Sequence, residues 1–140
     1  MSKNKEKHDS YRYSFEQMKA AIKAGFFLEA VMIQESIIAD RLLSVLVKGG
    51  HFTDRELHRP PTLATLVKKS SELSTPFPRL RELDEWRLRR NEVAHAIAKS
   101  LPGMPTIASN QFRRMAKTTA AEGESICKDL KKWSRASRGK

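Results

Sequence analysis

Two side chains on one short stretch of this chain are of the types that proton transfer and phosphate stabilisation need. Arg90 and His95 bracket the run Arg90-Asn91-Glu92-Val93-Ala94-His95. On a helix they lie about 140° apart around the axis, at opposite edges of one broad face. Asn91 and His95 are four residues apart and stack on that face, which Leu88 also shares. Histidine ordinarily titrates near pH 6.5, so it can exchange a proton with a ribose 2′-hydroxyl or a leaving oxygen at neutral pH. The phosphorane formed on 2′-hydroxyl attack gathers negative charge, and the planar fork of an arginine can hold two of its oxygens. Asn91 can orient a ring or a phosphate through its amide. Nucleophile and leaving group both come from RNA, so this chemistry calls for no metal and no cofactor. The same residues admit a plainer reading, with Arg90 paired to Asp84 or Glu85 and His95 a satisfied interface histidine.

Other polar residues offer less. His51, Asp54 and His58 share a loop, but no zinc-like spacing with cysteines accompanies them, and they read as solvated. Trp86 sits near the apolar face of its helix and reads as core or interface. Trp133, between Lys132 and Arg135, is the better candidate for stacking on a base, although packing on the bundle is the simpler expectation. Cys127, the only cysteine, has apolar neighbours in Ile126 and Leu130 and reads as a structural thiol. There is no phosphate-binding glycine motif, and a Ser/His/Asp set cannot be nominated from spacing.

The charge balance points to a polyanionic partner. Lys and Arg outnumber Asp and Glu 27 to 16, for a net charge of +11. Between Ser109 and Lys140, nine basic residues face three acidic ones, so the field comes largely from the C-terminal third. Nucleic acid is the partner expected from charge, bound with steep salt dependence. Met1 to Asp9 is polar, no apolar run approaches the roughly 20 residues needed to cross a bilayer, and no disulfide framework is available. A cytoplasmic protein without a membrane partner is the expectation.

The elements that must position these residues are helical. The first 13 residues read as a flexible basic tail. Ser14 is a candidate cap for a short helix over Phe15 to Ala24, with Gln17 completing a capping box, and Gly25 breaks it. Phe26 to Lys48 has helical apolar spacing on most of its faces, as expected of a central helix, and Gly49-Gly50 ends it. A polar loop closed by Pro60-Pro61 leads to a short helix over Thr62 to Leu73. The motif helix spans Arg79 to Lys99. A loop around Pro102-Gly103 and Pro105 precedes a last helix from Asn110 to about Arg135, opened by a Ser109 or Asn110 cap. With no period-two segment, the fold class is all-α: a bundle of four or five helices over residues 14–135, followed by a basic tail at 136–140.

The motif resembles the hallmark of the HEPN superfamily, an Arg and a His separated by four to six residues, often with a polar residue directly after the Arg. The preceding Ala30 to Leu43 stretch looks like the long second helix of that family, with Asp40-Arg41 at the place of its acid–base pair before two leucines. The likeness runs from about Ser14 to Ser134. It implies a bundle that homodimerises through the motif helices, so that two Arg/His pairs share one cleft. It also implies a metal-independent endoribonuclease of a toxin–antitoxin, abortive-infection or other defence system. Arg90, Asn91 and His95 would be catalytic, and Asp40 and Arg41 would support the site. Arg87, Arg113, Arg114, Lys117, Lys131 and Lys132 are the candidates for RNA binding, and a cognate antitoxin or regulatory protein is an implied partner. A toxin subgroup carries a tyrosine two residues after the His. Here Ile97 stands there, so an antitoxin that modifies this tyrosine is not expected. The alternatives are a non-catalytic RNA- or protein-binding module of the same fold and a basic DNA-binding regulator. The latter lacks a helix-turn-helix signature.

Overall fold

The apolar spacing becomes five α-helices in a computed structural model that describes residues 2–98 and 109–138. They are α1 (Ser2–Ala24), α2 (Phe27–Lys48), α3 (Leu63–Ser71), α4 (Leu80–Ala98) and α5 (Ser109–Arg138), with one 3-10 turn at Glu56–His58. No strand occurs among the described residues, and none of their helices is long and apolar enough to cross a membrane. The loop expected around Pro102-Gly103 and Pro105 lies outside the described residues.

Helix α2 is central, as its nearly all-round apolarity predicts. It packs on α1, α3 and α5, while α4 packs on α3 and α5. Ile37, Ile38, Leu42 and Leu46 of α2 meet Met18 of α1, Leu66 of α3, Leu83 and Trp86 of α4 and Ile126 and Leu130 of α5 in one core, all essentially inaccessible. Each such side chain contributes roughly 1.5–3 kcal/mol relative to leaving it in water. Trp86 is core, and its Nε1 donates to the Thr119 carbonyl at 2.9 Å.

The helix ends follow from punctuation in the sequence. Gly25 and Gly50 both adopt positive φ, +82° and +77°, which a residue without Cβ does at little cost. In each case the glycine N–H bonds the carbonyl three residues back, and the next residue bonds the one five back: Gly25 to Ile22 and Phe26 to Ala21, Gly50 to Val47 and His51 to Leu46. These paired bonds satisfy carbonyls that a helix terminus otherwise leaves open. Thr62 caps α3 by accepting from the Thr65 N–H at 3.2 Å.

The N-terminal reading needs correction. Residues 2–13, expected to be a flexible tail, are the first half of one continuous helix. Ser14 is not a cap, because its hydroxyl donates to the Ser10 carbonyl inside that helix. Tyr11 supplies the reason. Its ring packs edge-on to Phe15 at 5.1 Å and under the Arg41 guanidinium at 4.0 Å, while Lys7 reaches Asp40 of α2 at 3.8 Å. Docking against α2 thus extends a segment that has little apolar patterning of its own. At the other end, α5 continues to Arg138, so residues 136–138, expected to be tail, are helical.

Candidate functional site

The motif helix α4 places Arg87, Arg90 and Asn91 along one wall of an open cleft of about 610 Å³. Glu35, Ser36 and Ala39 of α2 form the opposite wall, and Pro61, Thr62, Leu63 and Ala64 at the start of α3 close one end. Arg90 and Asn91 are held together, Arg90 Nη1 donating to Asn91 Oδ1 at 2.8 Å. The N-terminal end of α3 adds the positive end of a helix dipole to this rim.

The partner of Arg90 is not the one that spacing suggested. Asp84 pairs with Arg87 at 2.8 Å and Glu85 with Arg81 at 3.6 Å, each within α4. Arg90 instead reaches across the cleft, its Nη2 bonding Glu35 Oε2 of α2. Both partners of this pair are about three-quarters buried, with side-chain exposures of 23%. Glu35 is therefore the residue that sequence reasoning missed. The available signal was a polar pair, Gln34-Glu35, set between the apolar runs 30–33 and 37–39: Gln34 is fully buried and bonds the Ala120 carbonyl at 2.7 Å. A carboxylate on a guanidinium occupies the position that a phosphate oxygen would take, with the same bonding geometry.

His95 lies one helical turn beyond Asn91 and is exposed. It does not line the Arg90 cleft, and about 7.5 Å of helix rise separates it from Arg90. Within one chain, the structure brings together Arg87, Arg90 and Asn91 but not His95. The outer face of α4 that carries His95 also carries Leu88, a large apolar side chain 51% exposed. The side chain of Ile97, at the tyrosine position of the toxin subgroup, lies outside the described residues.

Asp40 and Arg41 hold α1 rather than the cleft. Arg41 is buried, donating from Nε at 3.2 Å and Nη2 at 2.5 Å to Asp40 Oδ2 while its guanidinium covers Tyr11. Asp40 lines a separate hollow with Lys7, Ser10 and Tyr11.

The remaining RNA-binding candidates also lie elsewhere. Arg113, Arg114, Lys117 and Lys132 are exposed and Lys131 half-buried on α5, a helix that contributes nothing to the Arg90 cleft. The RNA-binding candidates thus fall in two places: Arg87 in the cleft on α2, α3 and α4, and the others in a row on α5. Trp133, a candidate for base stacking, is half-buried and packs its ring against Phe77 at 5.7 Å. Cys127 is fully buried, and its burial pushes the thiol well above the usual range, with the nearby Glu124 adding to the effect. Such a thiol is inert. In the loop of His51, Asp54 and His58, the ordered acid is Glu56, whose carboxylate accepts from the Thr53 N–H and hydroxyl, both at 3.1 Å. Those bonds, with the Lys69 ammonium nearby, hold the Glu56 carboxyl below its ordinary value. Among the described residues no group of three or more His, Cys, Asp and Glu is gathered as for a metal ion.

Comparison of the chain with protein-family models, with curated proteins and with solved structures finds no match.

Proposed function

We propose that this chain is a metal-independent endoribonuclease that acts as a homodimer, with a defence or toxin–antitoxin role of the kind that its motif's resemblance implies. The observation that carries the reading is the arrangement on α4. Arg87, Arg90 and Asn91 face an open cleft, and the same helix continues one turn to an exposed His95 beside an exposed Leu88. Association of two chains through that face, centred on Leu88, brings the histidine of one protomer toward the cleft of the other.

In this mechanism the ribose 2′-oxygen attacks the adjacent phosphorus, and its proton passes to a His95 imidazole. The bond from phosphorus to the 5′-oxygen breaks, and the leaving oxygen takes up a proton from a His95 imidazolium. The products are a 2′,3′-cyclic phosphate and a free 5′-hydroxyl. Arg90 stabilises the charge on the phosphorane oxygens and Asn91 orients Arg90. Phosphate must displace Glu35 from Arg90 for this to occur.

The test is cleavage of a single-stranded RNA by the purified protein in EDTA. Cyclic-phosphate ends are expected, with the rate falling about a hundredfold or more in His95→Ala and in Arg90→Ala. Activity abolished by chelation and restored by a divalent ion, or a fully active His95→Ala variant, overturns the reading. One observation favours a second reading, a binding module without turnover: within one chain His95 stands outside the cleft, and Arg90 is already paired with Glu35. RNA binding with no product under the same conditions selects that reading.

A further inference from the structure

Both arginines in the Arg90 cleft are matched by carboxylates, Arg87 by Asp84 and Arg90 by Glu35. A further set of cations lies on α5, away from this cleft, and its layout is regular. At 100° per residue, the basic residues of α5 from Arg113 to Arg135 (Arg113, Arg114, Lys117, Lys128, Lys131, Lys132 and Arg135) fall within a sector of about 100°. The buried stripe of Ala116, Ala120, Cys127 and Leu130 borders that sector on one side. Beyond the stripe lie Glu122, paired with Arg89 of α4, and Asp129, paired with Arg79 just before that helix. Helix α5 therefore largely sorts its charge, with Glu122 and Asp129 toward α4 and the cations, interrupted by Glu124, on the opposite flank.

That flank faces α1, and α1 answers it with more cations. Lys131 lies over the Phe15 ring at 5.2 Å. Arg12 and Lys19 stand three residues before and four after Phe15, on the same side of α1. At the other end, Arg113 covers the Phe27 ring at 5.3 Å beside the Gly25 turn that closes α1. The two helices thus run antiparallel, with cations along both lips of their seam. Over residues 113–135 of α5 the seam extends about 33 Å. The charge is felt within the fold: desolvation, and then Arg135, Lys19 and Arg12 in turn, lower the pKa of Lys131. Two acids interrupt this face, Glu16, paired with Arg12 at 3.6 Å, and Glu124.

We infer that the α1/α5 seam, with Arg12, Lys19, Lys128, Lys131 and Arg135 at its centre, is a docking surface for the phosphate backbone of RNA, separate from the Arg90 cleft. Like charges held together across two packed helices destabilise the free protein, and a polyphosphate strand relieves that cost while releasing its counterions. The seam engages RNA whether or not the cleft cleaves it. It would hold a substrate strand by its backbone without regard to sequence, leaving selection to the cleft.

The test uses the full chain and a 2′-O-methyl RNA 20-mer, which lacks the attacking hydroxyl, followed by fluorescence anisotropy over a salt titration. The variant Arg12→Gln/Lys19→Gln/Lys128→Gln/Arg135→Gln changes only exposed side chains. It is expected to lose at least tenfold in affinity and to flatten the slope of log K against log salt by about 3, near 0.7 for each single-strand phosphate that is no longer neutralised. The pair Arg87→Gln/Arg90→Gln is expected to leave most of that slope in place. Single variants Lys19→Gln and Arg135→Gln, each flattening the slope by about 0.7, keep the test open should the quadruple variant misfold. Unchanged affinity and slope in the quadruple and single variants overturn the inference. So does a seam-dependent affinity for phosphatidylserine vesicles that exceeds that for RNA, since the surface would then be a membrane contact.

Discussion

A largely buried arginine with a carboxylate already on it sets the chemistry at the scale of single residues. Arg90 is useful to a phosphate only if the phosphate competes with Glu35, so the pair is both a scaffold and a brake. It positions the guanidinium on the cleft wall, and it lowers the gain from binding an anion there. An ion pair at this depth is worth on the order of 1 kcal/mol net. Glu35→Gln keeps a hydrogen-bond acceptor for Arg90 but removes the competing charge. RNA affinity of the cleft should rise by up to about fivefold, measured by anisotropy at fixed salt with the four exposed seam cations already neutralised. Thermal stability should fall by about 1 kcal/mol or less. A drop in affinity would mean that the carboxylate acts with phosphate rather than against it, for instance by fixing the guanidinium in its binding orientation.

Helix α5 is where packing decides what the sequence tolerates at the scale of an element. Gly123 lies in the middle of a 30-residue helix, where alanine would ordinarily be favoured by about 1 kcal/mol. Here an added Cβ would collide with the Gln34 amide and stand 2.9 Å from Trp86 Nε1. The amide cannot swing away freely, because it is fully buried and bonded to the Ala120 carbonyl. Gly123→Ala is therefore expected to destabilise by about 1–3 kcal/mol, seen as a lower urea midpoint, and adding Gln34→Ala should recover part of that loss. A stabilised single variant would mean that α2 and α5 pack less closely at this point. Legibility in the sequence divides along the same line between local and distant causes. Gly25 and Gly49-Gly50 marked helix ends because backbone conformation is a local matter, and apolar surroundings in the sequence marked Trp86 as core or interface and Cys127 as a structural thiol, both of which are fully buried. Residues 2–13 were not readable as helix, since Tyr11 docks them by meeting Phe15 and the distant Arg41. The Glu35–Arg90 pair spans 55 positions, so no spacing rule reaches it. The two-sided charge of α5 was present in its periodicity, but its meaning needed α1 as a helix alongside.

Charge and association make opposite demands on the molecule as a whole, and salt separates them. Each chain carries a net charge of +11, so two chains repel as they approach, and the repulsion reaches about 10 Å at 0.1 M salt. The proposed dimer joins two α4 faces at the exposed Leu88, an apolar contact that salt leaves intact while it screens the repulsion. Self-association should therefore strengthen between about 50 and 500 mM NaCl, read by sedimentation velocity, over the same range in which RNA affinity falls. Leu88→Glu should leave the monomer's stability within about 0.5 kcal/mol, as for most exposed positions. It should abolish the dimer by placing an unpaired carboxylate in a self-complementary interface, where a two-fold axis sets it close to its own copy. Cleavage should fail with the dimer, while RNA binding at the α1/α5 seam persists. If salt instead dissociates the dimer, ion pairs hold it, and the Leu88 contact is not what joins the chains. If Leu88→Glu stays monomeric yet cleaves RNA at the parent rate, one chain suffices, and His95 must reach the Arg90 cleft within it.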